Sequence, residues 1–270
     1  MTRRFSPEPR AAATLILLRR EPEAVEVLMV KRHPGNLFVP ECYVFPGGAI
    51  DNEDLSPEME GLCTSLGRQA AHRIMPDMPS AEMALAAWIA AIRETFEETG
   101  ILLAYDPSGR ILSATTPAAK DRLARCRGLL LEGRISFQSF LQQEGLSIAT
   151  DGLQYFSHWI TPIGSPIRYN VRFLIALAPS GQEALHDPHE LTEHVWISPE
   201  RALQLYGSNH FDMVLPTAMT LRELSRFKTI EEILRYSAGK HVPSILTKLK
   251  KIRGQFVEVM PDGTPSLLST

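Results

Sequence analysis

No two of the three cysteines, Cys42, Cys63 and Cys126, stand at CxxC spacing, so the chain carries neither a zinc-ribbon pattern nor an even disulfide framework. An odd, scattered set suits a reducing compartment, and a cytoplasmic protein is expected. Long hydrophobic runs are missing too. No stretch approaches the roughly 20 apolar residues of a membrane-spanning helix. The run over residues 11–18, behind Arg3 and Arg4, has the outline of a signal peptide. It is short, however, ends in Arg19-Arg20 and leads to another strand-like segment instead of a small-residue cleavage site, so it reads as a first β-strand. The C-terminal Leu268-Ser269-Thr270 is not a peroxisomal address of the SKL kind. Excess charge is slight: a formal net charge of -3 gives no general basic field, so neither nucleic acid nor membrane is an expected partner. Repeats and low-complexity tracts are absent as well.

What the chain does have is a hydrophobic fraction of 44% over 270 residues, enough for one large domain spanning 1–270. Leu15-Ile16-Leu17-Leu18 and Val25-Glu26-Val27-Leu28-Met29-Val30 read as strands joined by a turn near Glu21-Pro22. Tyr43-Val44-Phe45 is a third strand, expected to stop at Pro46-Gly47-Gly48. Residues 52–80, broken by Pro57, Gly61, Pro76 and Pro79, form an excursion with one short helix. Ser80 can cap a helix running to Thr99, in which Leu85, Ile89, Ile92 and Phe96 make one apolar stripe and Gly100 supplies the stop. A second helical region covers 117–145. Strands follow around Trp159, over 171–177 and around Trp196, then a short helix over 199–205. Residues 213–270 read as a helical extension whose Lys248-Leu249-Lys250-Lys251 run is the polar side of a terminal helix. The order gives an α+β layered domain, not alternating βαβ units.

Glu94, Glu97 and Glu98 lie at i, i+3 and i+4 and share one helical face. Like charges at that spacing repel, so a counter-charge is needed. Arg93 is one candidate and a divalent cation the other, because converging hard oxygens suit Mg²⁺ or Mn²⁺. A solvated, salt-bridged surface helix shows the same bare Glu-x-x-Glu-Glu, and the flanking residues decide. Arg93-Glu94, Glu97-Glu98, Gly100 and Ile101 follow Phe45-Pro46-Gly47-Gly48, which ends a strand upstream.

This set resembles the Nudix box: Gly, five residues, Glu, seven residues, Arg-Glu-aliphatic-x-Glu-Glu-x-Gly-aliphatic. Thr95 stands where the family has an aliphatic residue. Gly48 and Arg93 are 45 residues apart where the box has 14, so the 52–80 excursion interrupts it. The first box glutamate then falls at Leu85 or at Asp54, according to the anchor, and Asp51, Asp54 and Glu82 are the candidates for its job. The interruption is similar to that in the peroxisomal coenzyme A diphosphatase-like Nudix proteins and their bacterial relatives. Trp159-Ile160-Thr161-Pro162, Arg168-Tyr169-Asn170-Val171-Arg172-Phe173 and Glu190 and Glu193 before Trp196 strengthen the likeness.

The resemblance implies a Nudix α/β/α sandwich with a mixed sheet, a helical insertion within the box and additional helices. It also implies Mg²⁺ or Mn²⁺ held by Glu97, Glu98 and the Gly48 carbonyl, with Glu94 a further ligand or the acid-base group and Arg93 orienting a carboxylate. Glu190 and Glu193 are candidates for a further base or ligand, with ordinary loop charges as the alternative. Lys31, Arg32, Arg168 and Arg172 are candidates to meet substrate phosphates. His186, His189 and His194 have no fixed metal spacing and read as solvated loop residues. Trp159 and Trp196 read as core. The expected substrate is a nucleoside diphosphate linked to another moiety, with CoA or acyl-CoA first and NADH, ADP-ribose or a nucleotide sugar as alternatives. A separate Nudix CoA signature before Phe-Pro-Gly-Gly is absent, because Leu37 and Glu41 occupy its positions. A non-catalytic nucleotide sensor is the competing class, and retention of all three box carboxylates favours the enzyme. A homodimer is compatible with the sequence.

Overall fold

Alternation along the first strand sets the architecture. In β1 (Arg10–Arg20), Ala13, Leu15 and Leu17 enter one hydrophobic cluster, whereas Ile16 and Leu18 enter another on the opposite face. A strand with period-two side chains can be apolar on both sides only when both faces of its sheet are covered. The computed structural model describes residues 7–21, 24–252 and 254–264. Arg3, Arg4, the turn residue Pro22 and Leu268-Ser269-Thr270 lie outside the described residues.

β1 is flanked by β2 (Val25–Arg32), antiparallel, and by the parallel β8 (Tyr169–Leu177). The sheet runs on through β7 (Gln154–Ile160), and β3 (Tyr43–Val44) pairs with β2. β4 (Gly47–Ala49) pairs with β1 and β9 (Leu191–Ile197) with β2. The third strand ends before Pro46, as expected, but Gly47 and Gly48 then open a further strand that pairs with β1 and is pressed on Thr14.

One face carries α1 (Pro57–Gly61), α2 (Arg68–Ile74) and the long α3 (Ala81–Thr99). Beside these lie the small ladder β5 (Ala104–Tyr105) with β6 (Ser147–Ile148), and α4 (Pro117–Leu131) and α5 (Phe137–Glu144). The 117–145 region thus splits, at Gly133 with φ 66°, into two helices. Residues 52–80 hold two short helices, not one, and are not a loose appendage. Met59, Ala71, Met75 and Met78 are buried in the same cluster as Leu85, Ile89, Ile92 and Phe96 of α3. The stripe read from the sequence is buried, but so are all the other positions from Ala84 to Arg93, so α3 is enclosed on all sides there and not along one stripe.

The opposite face is covered by α6 (Pro199–Gly207), α7 (Leu215–Leu224) and α8 (Ile230–Ala238). The helical extension ends at Ala238. Beyond it the chain forms β10 (Ser244–Leu246), which adds to the sheet edge beside β7, and the hairpin β11 (Lys248–Ile252) with β12 (Gln255–Val259). The lysine run is therefore a strand and not the face of a helix. Gly239 and Pro243 end helical geometry, and the partner strand at 255–259 supplies the hydrogen bonds.

Candidate active site at the end of the long helix

Ser80 caps α3 by accepting the Met83 N–H, and Gly100 closes it in the left-handed conformation at φ 75°. Its last four carbonyls all have donors. Phe96 O takes the Gly100 N–H at 2.8 Å, Glu97 O takes Arg127 Nε at 2.8 Å, Glu98 O takes the Asp187 N–H at 3.0 Å and Thr99 O takes the Leu185 N–H at 2.8 Å. These bonds satisfy groups that a helix end otherwise leaves bare. They also tie the segment that leads to Glu190 to the helix carrying the glutamates.

Arg93 is the hub of the face. Its side chain is 6% exposed and all five of its N–H groups are engaged. Nε and Nη2 fork onto Asp54 at 2.9 and 3.0 Å, Nη1 reaches Glu94 at 2.9 Å and Glu97 at 3.1 Å, and Nη2 also reaches the Ala49 carbonyl at 3.1 Å. Among the three candidates for the missing glutamate's place, Asp54 is the one locked into the site. Asp51 is exposed with a 3.6 Å approach to Arg93, and Glu82 pairs with Arg68 away from it. Burial pushes the Asp54 carboxyl up, against the pull of the guanidinium.

Glu98 sits deeper, 4% exposed, and accepts the Gly47 N–H at 3.0 Å. Burial and neighbouring Glu94 hold its carboxyl well above the usual range. Burial also raises Glu94, opposed by Arg93, and takes Glu97 up to about 7. The glycines make the approach possible. A Cβ on Gly48 would collide with the Glu94 carboxylate, and one on Gly47, at φ 153°, with the Ala13 carbonyl oxygen. Glu94, Glu98, Glu190, Arg32, Gly47 and Gly48 all line one cavity of about 400 Å³.

These groups fit a divalent cation. Several carboxylates crowd around one guanidinium whose donors are already used, and Glu98 has a single backbone N–H for a partner among the bonds described. Uncompensated buried negative charge calls for a counter-ion. Among the described residues no three Asp, Glu, His or Cys side chains close on one point by themselves. Such a site suits Mg²⁺, which keeps waters in its shell, and not an all-protein cage.

The other expected residues divide. Arg32 lines the cavity, with Nε held by the Phe38 carbonyl at 3.1 Å. Lys31 instead lies over the Tyr43 ring, and Tyr43 donates its hydroxyl to Glu193 at 2.7 Å, so Lys31 and Glu193 flank the cavity without lining it. Arg168 and Arg172 do not meet the site. Along β8, Tyr169, Val171 and Phe173 face the cavity, so the even positions face away. Arg168 bonds the Thr161 and Pro7 carbonyls, and Arg172 pairs with Asp77 at 2.6 Å beside His158. His186 and His194 meet at 2.9 Å between their Nδ1 atoms, and His189 is not joined to them. Trp159 is both buried and a wall of the cavity, whereas Trp196 lies under the Arg19 guanidinium. Sequence reasoning missed Phe38, Thr217 and Glu258, which no local pattern marks, and gave Phe45 and Leu249 no part in the site, although all five complete its walls.

The sequence model of the NUDT19 Nudix domain matches residues 9–226. The chain belongs to the Nudix family. It is 27% identical, over 86% of its own length, to a chicken protein named acyl-coenzyme A diphosphatase NUDT19, and covers 72% of that protein. The human protein of the same name is 25% identical over 81% of the chain, which spans 65% of the human sequence, and the frog one is spanned to 63%. Those relatives therefore contain sequence outside the match. Among solved structures, a Nudix hydrolase from Alicyclobacillus acidocaldarius superposes with a TM-score of 0.65, at 27% identity over 84% of this chain and 96% of that one. The expected Nudix sandwich with a mixed sheet is thus the fold observed, and the chain is a Nudix hydrolase.

Proposed function

We propose that this Nudix protein hydrolyses the diphosphate bond of coenzyme A or an acyl-CoA with Mg²⁺ or Mn²⁺. The observation that carries the reading is Glu94 and Glu98 at the head of a cavity whose remaining walls are largely apolar, with Glu97 beside them on α3 but outside the lining. Such a cavity suits a diphosphate attached to a long, weakly polar arm better than a second sugar or nucleotide. The name borne by the chicken, frog and human relatives agrees with it.

Glu97, Glu98, Glu94 and the Gly48 carbonyl would hold the metal, whose chemistry is to neutralise the diphosphate and acidify a water aimed at phosphorus. Arg93 positions Glu94 and Glu97 and does not meet substrate, because its donors are occupied. Arg32 is the cation available to a phosphate oxygen in the cavity. Glu190, fixed relative to α3 by the bonded Leu185–Asp187 stretch, is the candidate base or extra ligand.

A panel of CoA, acyl-CoAs, NADH, ADP-ribose and nucleotide sugars with Mg²⁺ tests the proposal. Release of 3′,5′-ADP from CoA is expected. Glu97→Gln and Glu98→Gln should each lower turnover by about a hundredfold or more while the far-ultraviolet circular dichroism stays unchanged. Turnover of ADP-ribose or NADH without CoA would reassign the substrate, and full activity in both variants would sink the metal site.

A further inference from the structure

After α8 the chain lays β10 along β7 in parallel register, Ser244 against His158 and Leu246 against Ile160. Thr247 then hydrogen-bonds the Ile160 carbonyl through its N–H, and the β11–β12 hairpin begins at once. The edge strand therefore fixes where the hairpin starts. Leu249 and Glu258 are directly paired across it, so their side chains share a face, and both line the cavity of Glu94 and Glu98. Leu249 also stands over the loop before β8, since a Cβ on Gly164 would lie 3.7 Å from its Cδ1. This roof lies beyond residue 226, where the match to the family's sequence model ends.

The chemistry of the roof is selective. An ionised carboxylate accepts hydrogen bonds and donates none. Glu258 takes one from the Thr247 hydroxyl. Leu249 is its cross-strand partner, and Trp159, Val171, Phe173 and Val214 line the same cavity. A phosphate placed there would meet like charge in partly desolvated surroundings, which is unfavourable. An uncharged arm with N–H or O–H donors would gain a charge-assisted hydrogen bond and apolar contact.

We infer that the C-terminal hairpin is a substrate-reading element. Leu249 and Glu258 bind the uncharged, largely aliphatic, amide-bearing arm on the far side of the scissile diphosphate. This deepens the proposed function and rests on it. Glu258 is a specificity residue, and the cleavage machinery on α3 is independent of it.

The test is calorimetric binding of CoA and of 3′,5′-ADP, which is the same nucleotide end without the arm, with Ca²⁺ in place of Mg²⁺. Glu258→Ala and Leu249→Ala should each weaken CoA about tenfold while 3′,5′-ADP changes by less than about twofold. Glu258→Gln, whose amide oxygen still accepts, should recover part of the loss. Equal weakening of both ligands, no weakening of either, or no CoA binding by the unaltered protein would overturn the inference. Mg²⁺-dependent turnover is measured in parallel. A wild type that binds CoA through the hairpin but releases no 3′,5′-ADP refutes the diphosphatase reading alone. Normal 3′,5′-ADP release with unchanged binding in the variants refutes the hairpin alone.

Discussion

Arg93 and Asp54 form a buried, forked pair that holds two halves of the site together. Removing one partner strands a buried charge, so Arg93→Ala should cost about 3–5 kcal/mol in urea unfolding. Arg93→Lys should restore only part, since an ammonium cannot fork onto Asp54 while also serving Glu94 and Glu97. Glu98→Gln should act in the opposite direction on the metal-free protein, raising its unfolding midpoint by removing an uncompensated buried charge. At this scale the sequence was informative where spacing decides geometry. Glu94, Glu97 and Glu98 had to share a helical face, and they do. Arg168, just before β8, and Arg172 within it lie away from the cavity, because alternation says that they share a face but not which face meets it. Glu258 was invisible because the hairpin that carries it read as helix, and the cavity it lines is built from segments far away in the chain.

On the element scale, α3 was legible from end to end, because Ser80, the apolar stripe and Gly100 act within a turn or two of chain. β4 and the C-terminal strands were not, because a strand is stabilised by partners that its own residues do not announce. The carboxylates gathered on α3 also set a pH dependence. Glu97 has its ordinary value of 4.5 when unfolded and about 7 when folded, while Glu94 and Glu98 shift in the same direction. Between those limits the folded state binds more protons than the unfolded one. The stability of metal-free protein is therefore fully present below about 4.5 and declines as pH rises through about 7. Urea titrations in EDTA at pH 5, 6, 7 and 8 should show the midpoint falling in that order, and a rise across the window would refute the assignment of these shifts.

For the whole molecule, the proposed metal site would link cation binding to folding through the same carboxylates. A cation that binds only the folded chain stabilises it by mass action. At pH 8, Mg²⁺ or Mn²⁺ at about a hundred times its dissociation constant should raise Tm by roughly 5–10 °C, and at pH 5 by almost nothing. An equal effect at both pH values would place the binding elsewhere. The layered fold itself was readable from the order of strands and helices along the chain. How the 52–80 excursion packs was not, since Met59, Ala71 and Met75 find their partners only in three dimensions. That packing has a consequence for how the site could be made. Everything up to Ser65, an exposed residue at φ 63°, brings Gly48 and Asp54, and everything after it brings Arg93 and the glutamates. Each part carries its own share of one core and one half of the Arg93–Asp54 fork. A chain severed there would be a two-piece enzyme, with the active centre as the seam that rejoins it.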